Sequence, residues 1–87
     1  MTATGTCCWR DDIDSLAFVP PGHEGTCVVH RRALRTLLGF MPDVETCERF
    51  FAEYNARFIA AAARKIERAQ LPRTANFHLN SRDIARS

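Results

Sequence analysis

Several devices by which small proteins do chemistry are missing from this 87-residue chain. It has no Gly-rich phosphate loop, no G-x-S-x-G elbow and no H-E-x-x-H helix, so phosphate cradling, esterase-type attack and zinc-dependent hydrolysis lack their usual scaffolds. Its four cysteines, Cys7, Cys8, Cys27 and Cys47, include no C-x2-C pair, the spacing that turns two thiolates toward one zinc ion. His23, His30 and His78 complete the soft-ligand inventory without forming a ligand pattern. No metal and no cofactor is therefore expected. A formal net charge of +2 is not the basic excess that drives strong nucleic-acid binding. Lysine is nearly absent: Lys65 is the only one, and every other cation is arginine. The longest apolar run, Phe58 to Ala63, is far short of the roughly 20 residues that cross a bilayer. The polar start shows no apolar stretch of signal-peptide length. No membrane contact and a cytoplasmic location are expected, where thiols stay reduced.

What is present describes a folded domain. Hydrophobic residues make up 46% and charged residues 25%, which argues against disorder. The length allows one domain with a small core. Residues 1–13 read as a flexible leader, because Asp11 and Asp12 oppose regular structure there. Residues 14–87 read as the domain.

Within it, Leu16 and Phe18 alternate with Ser15 and Ala17, the period of a strand. Pro20-Pro21-Gly22-His23-Glu24-Gly25 supplies turn chemistry. Thr26-Cys27-Val28-Val29-His30 makes a second strand, and the two form a hairpin. Ala33, Leu34, Leu37 and Leu38 have helical spacing over about Arg31 to Leu38, and Gly39 is a natural terminator. Asp43 caps the next helix. From Val44, the stripe Cys47, Phe51, Tyr54, Phe58, Ala62, Ile66 and Ala69 predicts one dominant helix that Pro72 ends. At 1.5 Å per residue it would span about 39 Å. A compact domain of this size is roughly 31 Å across. Such a helix must overhang, bend or pack on a second subunit. Phe77 and Leu79, alternating with His78 and Asn80, make a third strand, and Ser81 and Asp83 lead a final turn carrying Ile84. The expected fold class is α+β: a small two-layer β-β-α-α-β domain with an antiparallel sheet packed against one long helix.

These positions carry a resemblance. The strand ending at Phe18, the run Thr26-Cys27-Val28-Val29 leading into Arg31-Arg32-Ala33-Leu34, and the closing Phe77-His78-Leu79 with Asp83-Ile84 are similar to a family of short bacterial proteins. So is the long helix with Phe50, Phe51 and Ile59 through Ala63-Arg64-Lys65-Ile66. The family is known only as domain of unknown function 1488. The resemblance covers about residues 15–85. It implies a bacterial source and the same two-layer fold, and it implies no activity. One departure is His30, where the family tends to place a serine or threonine helix cap. Cys7, Cys8 and Trp9 lie outside the matched region.

Candidate working residues fall into three groups. On the long helix, Arg57, Arg64 and Arg68 share a flank, and Arg31, Arg32 and Arg35 cluster at the short helix; together they could grip phosphates of a nucleic acid. Phe50 lies off the main stripe and Trp9 can fold back over an apolar edge, so both are candidates for an interaction surface. His30 and His78 end or lie on strands and would approach each other if those strands are neighbours. No catalytic set emerges. The expected function is a non-enzymatic interaction or regulatory module, with a homodimer or another protein as partner. The alternative is a nucleic-acid-associated accessory protein that uses the arginines.

Overall fold

Alternating side chains make strands, and pairing decides which of them hold. A computed structural model of the chain describes residues 7–86. Strands β1 (Cys8–Arg10), β2 (Ser15–Phe18), β3 (Cys27–His30) and β4 (Phe77–Leu79) form one four-stranded sheet in the order β1-β2-β3-β4. β2 and β3 make the expected antiparallel hairpin, with Phe18 opposite Cys27 and Ser15 opposite His30. Helices α1 (Arg31–Leu38), α2 (Val44–Glu53), α3 (Asn55–Ala69) and α4 (Ser81–Ala85) complete an α+β fold.

Three expectations change. First, part of the expected leader is structured. Cys8–Arg10 pairs antiparallel with β2, and Asp11–Ile13 makes a short 3-10 turn that ends at Asp14 in the left-handed region, φ 49°. The rest of that leader, residues 1–6, lies outside the described residues. Second, the sheet is mixed, not antiparallel: β4 runs parallel to β3. Parallel neighbours need a crossover, and α1, α2 and α3 together supply it. Third, the helix from Val44 to Ala69 forms as expected but bends at Tyr54, whose backbone leaves helical values at φ −111°, ψ 31°. The Tyr54 amide donates to the Phe50 carbonyl at 3.0 Å and its carbonyl accepts from the Arg57 amide at 2.9 Å, so Tyr54 is bonded to the helix on either side of the bend. The bend resolves the length conflict, since the molecule measures 33 × 29 × 24 Å.

The caps are side chains. Asp43 accepts from the Thr46 amide at 2.8 Å. His30 caps α1 with Nδ1, 3.1 Å from the Arg32 amide, doing the work of the serine or threonine the resemblance led one to expect. Asn80 and Asp83 form a reciprocal capping box on α4.

Leu16, Phe18, Cys27, Val29 and Leu79 face one side of the sheet. There they pack against Leu34 of α1, Cys47 and Phe51 of α2, Phe58, Ala61 and Ala62 of α3, and Ile84 of α4. Rings interlock across this layer: Phe18 lies 5.0 Å from Phe51, and Phe51 lies 5.1 Å from Phe58. Every helix thus contributes to the same face.

The β3 and β4 ends are tied ahead of the strands. The Glu24 amide donates to the Arg73 carbonyl at 2.8 Å, and the Phe77 amide donates to Thr26 at 3.1 Å. His23 is buried, with Nε2 2.8 Å from the Ala75 carbonyl; a carbonyl only accepts, so Nε2 carries the hydrogen. Gly25 sits so close to the Ala75 carbonyl that a Cβ would collide with it.

Candidate functional site

With all helices on one face, strand alternation assigns the other. Cys8, Ala17, Val28 and His78 stand in register in one row across the four strands. Arg10, Ser15 and His30 form a second row. Ala17 and Ser15 are small and lie at the floor, screened by their neighbours. Val28 is half-buried, while Cys8, Arg10, His30 and His78 are exposed. Val19 and Ile13, at 55% and 40% exposure, add apolar surface beside them. Two shallow hollows cover this face. One of about 420 Å³ lies over Cys8, Ala17, Val19 and Thr26. The other, of about 360 Å³, lies over Ile13, Val28, Asn76 and His78.

The two histidines are brought together. Their strands are neighbours, and Val28 is the register partner of His78. His30 is therefore diagonal to His78 on the same face. Both line a third hollow, of about 380 Å³, with Arg32, Ala33, Thr36, Asn80 and Ser81.

The arginines are mostly spent on the protein itself. Arg57 donates to the Ile84 carbonyl at 3.4 Å and lies over Tyr54. Arg64 donates to the Arg86 carbonyl at 2.6 Å. Arg68 pairs with Asp83 at 3.3 Å. The flank read from the sequence as a nucleic-acid grip thus fastens α4 to α3. Lys65, the only lysine, joins it at 3.2 Å from Asp83. Burial opposes the charge on Asp83, yet the Asn80 amide, Lys65 and Arg68 outweigh that and hold its carboxyl below the usual range. Arg31 clamps Asp14 through Nε and Nη2, donates to the Pro42 carbonyl at 3.2 Å, and lies over the Trp9 ring at 5.4 Å. That pairing holds the Asp14 carboxyl low as well. Arg32 and Arg35 are exposed on α1.

Phe50 and Trp9, the candidate interaction residues, are both half-buried against the core. Phe50 packs on Tyr54 and Phe58, 4.9 Å and 5.8 Å between ring centres. Trp9 packs against the β1 side of the core; its Nε1 is buried and has no hydrogen-bond partner among the described residues. The sequence missed the sheet row through Val28. Its signal was the Ser15, Ala17, Val28 alternation, which becomes a surface only once all helices are known to share the opposite face.

The cysteines do not act together. Alternation sends Cys7 toward the core and Cys8 to the open face. All four are free thiols. Burial pushes Cys27 up to about 12 and Cys47 up to about 11. Burial, then the charge of Glu48, raises Cys7. None of these three is a thiolate near neutral pH. Among the described residues no three His, Cys, Asp or Glu side chains group as metal ligands, and no helix is long and apolar enough to cross a membrane.

No protein-family model, curated protein or solved structure matches the chain.

Proposed function

We propose that the chain is a non-enzymatic interaction module and that its working surface is the open face of the sheet. One observation carries this: all four helices pack on the same face, leaving Val28, Val19 and Ile13 around a floor of Ala17 and Ser15. Four strands at about 4.8 Å spacing and some four residues of length make a platform of roughly 200 Å². A stable pair of globular subunits needs about 800 Å² on each partner. The face is too small for a second copy and suits an extended peptide segment of another protein. One argument for a homodimer was an over-long helix, and the bend at Tyr54 removes that one. The arginine contacts weaken the nucleic-acid reading in the same way.

Site-specific photo-crosslinking tests the proposal in cells that express the chain natively. A diazirine amino acid replaces Val28 in one sample and Glu45, exposed on α2, in the other. The expected result is a defined adduct from position 28, mapping to one segment of another protein, and none from position 45. Crosslinks to the chain's own copy, or the same adducts from both positions, overturn it.

A further inference from the structure

The hollow between His30 and His78 brings several donors together beside the apolar Ala33 and Leu79. The caps consume the acceptors: His30 Nδ1 takes the Arg32 amide at 3.1 Å, and Asn80 Oδ1 takes the Asp83 amide at 2.8 Å. A ring nitrogen that accepts from an amide carries no hydrogen, so in His30 the hydrogen sits on Nε2, across the ring. By the same logic Asn80 keeps its NH2 group for other partners. Arg32 adds a guanidinium, Ser81 a hydroxyl and His78 an exposed imidazole. No Asp or Glu lines the hollow. The carboxylates on the adjoining segments are engaged elsewhere: Asp14 with Arg31, and Asp83 with Lys65, Arg68 and the Asn80 amide.

The geometry points to a phosphate-binding site in this hollow, taking a phosphate group that is free or carried as a monoester. A phosphate oxygen only accepts, and donor-bearing side chains from the end of β3, from β4, from α1 and from the start of α4 line the hollow, which suits an anion with several acceptor oxygens. The site stands independently of the peptide reading above, because it uses neither Val28 nor Ala17.

An amide-resolved NMR titration of the full chain tests it, with inorganic phosphate in one arm, O-phosphoserine in a second and sodium chloride at matched ionic strength as control. The expected result is saturable shifts at Arg32, His78 and Ser81 with a midpoint of about 1–10 mM, in keeping with an exposed charge-assisted site. Arg32→Gln weakens binding about tenfold. His78→Ala weakens it less. Neither substitution touches a helix cap, and retained amide dispersion shows that the variants fold. Saturation by phosphate alone assigns a free anion, and saturation by both assigns a monoester as well. Linear shifts, shifts equal to those in chloride, shifts spread over the whole surface, or midpoints unchanged in both variants overturn the site.

Discussion

Single residues carry unusual loads in so small a core, and Gly25 is the clearest case. Its requirement is space: a Cβ there would strike the Ala75 backbone, and neither backbone segment can yield without breaking the Glu24–Arg73 and Thr26–Phe77 bonds. Gly25→Ala is expected to cost about 3 kcal/mol or more, read as a drop in the chemical-denaturation midpoint. Gly22→Ala makes an informative contrast, since nothing lies within reach of a Cβ there and only its φ of 78° resists the change. At this scale the sequence was partly legible. Gly39 and Asp43 announced their caps, because capping is local chemistry. The role of Gly25 was hidden, because its neighbour is Ala75, far along the chain. The arginines misled for the same reason: spacing on a helix shows a flank, but only the placement of α4 shows that the flank is already occupied.

Among elements, α4 depends most on a single side chain. Asp83 closes the capping box and accepts from both Lys65 and Arg68. Asp83→Ala is expected to destabilise the domain by about 2 kcal/mol. The pH dependence follows from its depressed pKa. A carboxyl held below its ordinary value near 3.8 contributes stability that is complete above that value and lost as pH falls through the lower, folded one. The contribution of Asp83 to thermal stability should be flat from neutral pH to about 4 and then fall, and Asp83→Ala should flatten part of the acid-side loss. A fall as steep in the variant as in the wild type would contradict this. The strands at Ser15–Phe18, Cys27–His30 and Phe77–Leu79, and the helix after His30, were readable from periodicity alone. β1 was not, because three residues beside two aspartates have no pattern of their own and become a strand only by pairing with β2. The bend at Tyr54 has no proline or glycine to mark it; the conflict between helix length and domain size was its only signal.

For the whole molecule, the decisive asymmetry is a sheet with all four helices on one face and none on the other. The two-layer α+β class was legible because one apolar face of a small sheet must meet the helices. The parallel pairing of β3 and β4 was not, since short strands carry no mark of direction, and this pairing is what sets His30 beside His78. The proposed peptide surface lies on the side without helices, and the proposed phosphate site lies at its edge, where α1 and α4 begin. Neighbouring valines report on it directly, because Val29 is fully buried in the core while Val28 faces outward. Methyl NMR of the full chain with a soluble paramagnetic probe measures their difference in solution. The account predicts strong relaxation enhancement for the Val28 methyls and almost none for Val29. Equal protection of the two would mean that the sheet face is covered in the intact protein, and would contradict it.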